Sequence, residues 1–329
     1  MSTVADATPP SRAVSGVLAT AALTAVALPL GALVPRVGAP IAALAIGMLV
    51  AVVVPTRRLA GLHAISTYSL QVAIVLLGAT IALHDVVTVS VASLPVMLGS
   101  LATALLCAAV LGARLGVPER LRTLVGVGTG ICGASAIAAV SGVIGARPAE
   151  IRYAISTIFV FNLVAVLAFP PLGHLLGLDD HAFGLWAGTA VNDTSSVVAA
   201  GFAYGHTAGT YAIVVKLTRT IMIIPVTLYL ATRGTGTRTV PLRRALPWFL
   251  PLFLAASAAS SLGALDASGR SVCSHAGLAL TTVALAAVGL STNLRELRQT
   301  GHRPLLLGAL VWASVAGVSL VLQALTGSA

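Results

Sequence analysis

Apolar residues fill long stretches of this 329-residue chain, and short polar linkers separate the stretches. About eleven of them approach the roughly 20 residues that an α-helix needs to cross a bilayer. They occupy approximately residues 13–34, 39–54, 66–83, 88–112, 121–145, 151–176, 183–203, 208–231, 247–265, 276–292 and 304–326. The pattern predicts an all-α polytopic membrane protein with about 9–11 membrane segments. We expect one transmembrane domain, residues 12–329, after a disordered tail, residues 1–11.

Polar residues interrupt two of these stretches. Phe183–Ala203 is broken at its centre by Asn192-Asp193-Thr194-Ser195-Ser196, and Lys216 and Arg219 lie in the middle of Ala208–Leu230. A charged residue at the centre of a membrane helix costs ~2.5–3.5 kcal/mol on insertion scales. A chain retains such charges where they pair, line a wet cavity or bind something. They are therefore the best indication of what the protein does.

The composition agrees with a membrane protein. Hydrophobic residues make up 57% of the chain and charged residues 9%, whereas soluble domains carry roughly 25% charged residues. The net charge of +10 does not indicate nucleic-acid binding, because the arginines fall in short linkers as the positive-inside rule expects. Three dispersed cysteines exclude a disulfide framework, and no His/Cys/Glu spacing predicts a metal site. We expect no cofactor.

The linker charges favour a particular topology. The arginine-rich linkers contain Arg57-Arg58, Arg114 with Arg120 and Arg122, Arg147 with Arg152, Arg233 through Arg244, and Arg295 with Arg298 and Arg303. The poor or acidic linkers contain His84-Asp85, Asp179-Asp180, His206, and Asp266 with Arg270. If residues 121–145 and 183–203 are re-entrant hairpins, every arginine-rich linker is cytoplasmic and every poor one external. This gives nine crossings, a cytoplasmic N-terminus and an external C-terminus. The alternative is that both segments cross with a break at mid-membrane.

The same two segments resemble each other. The run from Gly128 to Ala139 aligns without gaps with the run from Gly188 to Ala199, with Gly, Thr, Ser and Ala in register. In the hairpin topology the two runs enter from opposite faces, which predicts an inverted repeat whose breaks meet near the midplane, as in secondary transporters. The alternative is a chance likeness of small-residue runs that only allow close helix packing.

The breaks predict an anion site. Glycines permit non-helical backbone with free amides, and we expect this at Gly128, Gly130, Gly133 and Gly188. Helices that begin beyond the breaks direct positive dipole ends into the membrane. Lys216, Arg219 and Asp193 sum to +1 before any substrate binds. The alternative is that Asp193 forms a structural ion pair with one of the cations.

We expect one cavity in which the substrate contacts the two breaks and the cations. Arg219 is the expected permanent anion contact, because Arg stays charged whereas Lys loses its proton readily when desolvated. Asp193 is the candidate coupling residue, and one cation is expected to neutralise it. The predicted substrate-binding residues are Gly128, Thr129, Gly130, Cys132, Ser135, Asn192, Asp193, Thr194, Ser195, Ser196, Lys216 and Arg219.

Three sequence strings carry a family resemblance: GVGTGICGASAIAA (Gly126–Ala139), FGLWAGTAVNDTSSVVAAG (Phe183–Gly201) and VVKLTR (Val214–Arg219). With the number and order of segments, the chain resembles the YeiH-type family of bacterial inner-membrane proteins, labelled sulfate exporters. The resemblance implies a multi-pass anion carrier of the bacterial inner membrane.

Several functions stay open from the sequence. The first is a secondary-active exporter of a small anion such as sulfate, sulfite or an organic sulfonate or carboxylate. The second is a passive anion channel of the same fold, and another is a cation- or proton-coupled antiporter that uses Asp193. An intramembrane enzyme is less favoured, because Cys132 has no His beside it in sequence. A purely structural membrane protein is also less favoured, because it would not need three central charges. The expected partners are the small anion and the lipid bilayer, and no nucleic acid is expected. The sequence does not decide whether the protein forms a homodimer.

Overall fold

The described part of the chain is built from α-helices. A computed structural model of the protein describes residues 10–33, 38–53, 59, 61–233, 247–291 and 302–327, and these ranges contain no strand. The helices are α1 (Pro10–Leu33), α2 (Gly38–Val53), α3 (Leu62–Gly78), α4 (Leu83–Arg114), α5 (Glu119–Gly130), α6 (Ala134–Val143), α7 (Pro148–Leu175), α8 (Asp180–Ala190), α9 (Thr194–Tyr204), α10 (His206–Ile221), α11 (Ile223–Arg233), α12 (Phe249–Ser261), α13 (Ala267–Ser291) and α14 (His302–Thr326).

Several of these helices are suited to a bilayer. Five stretches within the described ranges are long and apolar enough to cross a membrane: α4, α7, α13, α14 and the pair α10–α11 taken together. Large apolar side chains on α4, such as Leu98 and Leu106, point out of the bundle with 49% and 64% of their surface exposed. These observations confirm the all-α membrane class. The number of crossings stays a prediction.

Part of the predicted chain lies outside the described residues. The described residues leave out residues 1–9 of the expected tail. They also leave out most of three arginine-rich linkers, at residues 54–58, 234–246 and 292–301. The ends at which the chain enters and leaves each hairpin are therefore located from the remaining helices and linkers.

Helices α8 and α9 form a hairpin. The two ends of the pair lie together, because the Tyr204 ring stacks on Phe183 with 3.8 Å between centroids. A Cβ at Gly205, just after α9, would lie 2.9 Å from Oδ1 of Asp180, the first residue of α8. The chain therefore enters and leaves this segment at the same end of the molecule. We call this pair the second hairpin.

Helices α5 and α6 form a similar hairpin. Gly128, near the end of α5, lies against Ile137 in the first turns of α6, where a Cβ would meet the Ile137 side chain at 3.0 Å. The Ile158 side chain of α7 packs beside the same glycine. We call this pair the first hairpin.

The neighbouring helices show where the first hairpin begins and ends. Gly112, at the end of α4, contacts both Arg122 in the first turn of α5 and Leu307 in the first turns of α14. Gly308 of α14 contacts Thr157 of α7, and aromatic stacks continue this α7–α14 contact toward the C-terminal ends of both helices. The starts of α5, α7 and α14 therefore lie at one end of the molecule. Since α6 leads directly into α7, this hairpin also leaves where it enters. The membrane face at each end and the inverted repeat stay predictions.

An aromatic stack fixes the second hairpin against the long helices. Phe169 of α7 stacks on Trp186 of α8 with 4.1 Å between centroids and on Trp312 of α14 with 5.6 Å. The Trp186 indole N–H donates to the carbonyl of Ala316 at 3.0 Å. Burying large rings with a satisfied polar atom stabilises such a contact.

Candidate functional site

The breaks of the two hairpins lie against each other. The first comprises Ile131–Gly133 and the second Val191–Asp193. Gly133 has φ 65° and ψ −127°, a conformation that glycine adopts and other residues avoid. A Cβ at Gly133 would lie 3.5 Å from the carbonyl oxygen of Asn192 and 3.6 Å from the Cα of Asp193. The structure thus brings the two halves of the predicted site together.

Lys216 bonds to both breaks. It projects from α10, and its ammonium donates to the carbonyl of Ile131 at 2.8 Å and to that of Val191 at 2.9 Å. These two residues cap the C-terminal ends of α5 and α8. The side chain has no exposed surface. Lys216 therefore contacts the negative ends of the two half-helices.

Arg219 lies one turn further along α10 and is also fully buried. Its Nη1 donates to the carbonyl of Thr189 in the last turn of α8. Its Nε and Nη2 have no hydrogen-bond partner in the described structure. Asn192, in the second break, is fully buried too, and neither atom of its amide has a described partner. Leaving buried donors unpaired is costly, so the region has unused capacity for a polar ligand.

Asp193 caps the N-terminus of α9. Its carboxylate accepts from the Ser195 amide at 3.0 Å and from the Ser195 hydroxyl. Among the described side chains no ion pair joins Asp193 to Lys216 or Arg219; the salt bridge found is Arg147–Glu150. The expected neutralisation of Asp193 by a cation is therefore not what the structure has. The helix N-terminus stabilises this half-buried carboxylate instead.

Three of the four glycines expected in non-helical backbone are helical. Gly128 and Gly130 belong to α5, and Gly188 belongs to α8. The physical reason is close packing: a Cβ at Gly130 would meet Leu101 at 2.8 Å, and one at Gly188 would meet Val215 at 2.7 Å. These glycines allow neighbouring helices to approach, and that expectation was wrong for them.

The remaining predicted residues are divided between two environments. Thr129 and Cys132 are buried at the first hairpin, Ser135 is exposed at the start of α6, and the first turn of α9 is half-buried. Ser195 and Ser196 line an open pocket whose other walls come from α2, α7 and α13. Neither cation lines this pocket, so the single cavity expected from the sequence stays a prediction.

Sequence reasoning missed Asn162 of α7. Its Oδ1 accepts from the backbone amides of Asn192 at 3.0 Å and Asp193 at 3.2 Å, and the residue is buried. It also lines the pocket beside Ser195. Its position as a lone amide between Phe161 and Leu163 in an apolar segment was the available signal.

This chain matches a known family along most of its length. Residues 15–308 match the family model described as conserved hypothetical protein 698. The chain belongs to this family. The assignment confirms the YeiH-type resemblance drawn from the three sequence strings.

Relatives in this family are bacterial and are named membrane proteins. A UPF0324 membrane protein of Streptococcus pyogenes serotype M3 is 42% identical over 328 residues, covering 95% of this chain and 97% of the relative. The protein of that name from Streptococcus agalactiae serotype V is 39% identical over 315 residues, covering 91% and 93%. The one from Fusobacterium nucleatum is 37% identical over 324 residues, covering 91% and 94%. These names state no activity. No solved structure matches the chain.

Proposed function

We propose that this member of the family is a secondary-active transporter that exports a small anion such as sulfate, sulfite or an organic sulfonate or carboxylate. The observation that carries the proposal is Arg219, a fully buried guanidinium with Nε and Nη2 unpaired among the described residues. A buried charge without a counter-charge is expensive, and intramembrane cations are functional by default.

The free edge of Arg219 suits an oxyanion. Because Nη1 is occupied by the Thr189 carbonyl, Nε and Nη2 are left side by side. This edge of a guanidinium binds two oxygens of a carboxylate or sulfur oxyanion at once. The unpaired Asn192 amide offers a further donor from the adjacent break. Lys216 differs from the sequence expectation here, because its ammonium is used by two carbonyls.

The half-helices add a favourable field. The helices α6 and α9 begin beside the breaks, and each N-terminus carries about +0.5 of an elementary charge. Broken helices that direct such ends toward the substrate are the arrangement that secondary transporters use for anionic groups.

A second candidate function is antiport coupled to protons through Asp193. The motivating observation is that this carboxylate is half-buried in the candidate site with no cation within ion-pair distance in the described structure.

The test is counterflow in proteoliposomes with labelled sulfate, sulfite, a sulfonate and a dicarboxylate, with and without a proton gradient. Arg219→Gln is expected to weaken anion binding by ~1.5–3 kcal/mol, the scale of a charged hydrogen bond. Arg152→Gln is the matched control, because Arg152 is exposed near the start of α7. Asp193→Asn is expected to retain binding but lose the response to the gradient.

Two outcomes would overturn parts of the proposal. If well-folded Arg219→Gln protein transports anions as the parent does, the buried cation is structural and the anion-carrier proposal fails. Uptake without stimulation by anion on the opposite side would instead indicate a passive channel of the same fold.

A further inference from the structure

Lys216 is the single lysine of the chain; the other eighteen of its nineteen Lys and Arg residues are arginines. Its ammonium donates a hydrogen bond to each hairpin. The bond to Ile131 reaches the first hairpin and the bond to Val191 reaches the second. Both distances are those of good charged hydrogen bonds.

The ammonium of Lys216 lies between two negative helix ends. Each helix C-terminus is equivalent to about −0.5 of an elementary charge, so the ends of α5 and α8 together present about −1. One ammonium placed between them matches this sum. Lys216 thus has an acceptor at each of these ends, in contrast to Arg219 with its unpaired donors.

Apart from the hydrogen bonds of Lys216, the described contacts between the two breaks are apolar and van der Waals packing. Gly133 packs against the backbone of Asn192 and Asp193. Ile131, Cys132 and Val191 belong to one buried apolar cluster. Among the described hydrogen bonds, none runs from one break to the other. Asn162 bonds to the second break alone.

We propose that Lys216 is a positioning residue that ties the C-terminal ends of α5 and α8 together, so that the two hairpins move as a unit. A displacement of one break then carries the other break with it. This inference goes beyond anion transport and holds for any solute that passes between the hairpins.

A native cysteine can report on the link that Lys216 makes between the two breaks. Cys132 follows Ile131 in the first break and is 3% exposed. Replacing Cys107 and Cys273 with serine leaves it as the single thiol. Its rate of modification by N-ethylmaleimide, measured on the full-length protein in detergent, reports how often the first break opens.

The first comparison removes the two hydrogen bonds of Lys216. Lys216→Met is expected to speed modification of Cys132 by about tenfold or more, because two charged hydrogen bonds are lost. Lys216→Arg is expected to give a smaller increase, since a guanidinium retains donors for both carbonyls. It also keeps the test available if the methionine variant does not fold.

The second comparison tests coupling between the hairpins. Asp193→Ala removes the N-cap of α9 beside the second break, and Asp179→Ala removes the N-cap of α8 at the far end of the same hairpin. With Lys216 present, the first change should accelerate Cys132 modification and the second should not. In the Lys216→Met protein, Asp193→Ala should add nothing.

The proposal is overturned if Lys216→Met and Lys216→Arg both leave the rate unchanged. It is equally overturned if Asp193→Ala accelerates the reaction by the same factor with and without Lys216. A general loosening of the fold would make Asp179→Ala as effective as Asp193→Ala, which also contradicts a specific tie. Because the readout is thiol modification, it is independent of whether the anion proposal holds.

Discussion

Lys216 and Arg219 lie three residues apart on α10, and both are fully buried, yet their donors meet different acceptors. The ammonium is taken by two backbone carbonyls, whereas part of the guanidinium has no described partner. The type of a charged residue and its depth in the membrane therefore do not show whether it holds the structure together or binds a ligand. The role follows from which atoms remain unsatisfied after the backbone has folded.

Gly133 is the residue whose backbone conformation sets the first break. Gly133→Ala is expected to destabilise the protein by about 1–3 kcal/mol, because an L side chain must adopt a sparsely populated conformation at φ 65°. Gly142→Ala is the matched control: it is helical in α6 with open space around it, so we expect a gain of up to about 1 kcal/mol. Thermal unfolding of both purified variants in detergent measures the difference. Equal effects would mean that the first break is not held in this conformation.

At the scale of elements, α10 is the helix against which the second hairpin is packed. Gly184 of α8 lies against Ala208 and Tyr211, and Gly201 of α9 lies against Gly209. Small residues at these crossings allow the backbones to approach closely. The close approach is what brings Lys216 within reach of the break.

Gly188→Ala tests this packing. Its Cβ would lie 2.7 Å from Val215 and 3.0 Å from the Ala212 carbonyl, so α8 and α10 must separate. We expect a loss of stability of about 1–3 kcal/mol, the usual cost of overpacking, together with impaired counterflow. Gly317→Ala on α14, where nothing lies within 4 Å, should leave counterflow unchanged and should not lower stability, because alanine favours a helix over glycine. A Gly188→Ala protein with normal melting temperature and transport would show that the crossing tolerates separation.

The positions of the two breaks could be predicted from the sequence, whereas the roles of their glycines could not. The small-residue runs and the polar interruption at Asn192 indicated breaks within the correct segments. They did not distinguish a glycine that bends the chain from one that admits a neighbouring helix, because both uses need the same absent side chain. The acceptors of Lys216 could not be predicted, since every residue has a carbonyl and only the fold decides which ones are left free.

At the scale of the whole molecule, the two hairpins approach the centre from opposite ends. A half-helix of 11 residues, such as α8, is about 16 Å long, roughly half the thickness of a hydrocarbon core. Breaks at the tips of such hairpins lie deep in the bundle. Access to the site from either side then requires helices to separate along one hairpin or the other.

The topology can be tested at the two linkers that the structure describes beside the hairpins. Ala149 and Leu176 are both exposed and lie at opposite ends of α7. In protein without native cysteines, Leu176→Cys should react with an impermeant thiol reagent added outside cells, and Ala149→Cys only after permeabilisation. The physical reason is the arginine content of the linker at Arg147 and Arg152, which favours the cytoplasm. The reverse labelling pattern would contradict the proposed orientation.

The stack of Phe169, Trp186 and Trp312 gives the molecule an intrinsic optical signal. Trp186 is 3% exposed and belongs to α8, whereas Trp248 is 47% exposed near the start of α12. In a chain whose other two tryptophans are replaced by phenylalanine, the emission wavelength would depend on whether the Trp186 indole keeps its carbonyl partner and its stacked ring. Displacement of the second hairpin would then shift the ultraviolet emission maximum of Trp186, without any attached dye.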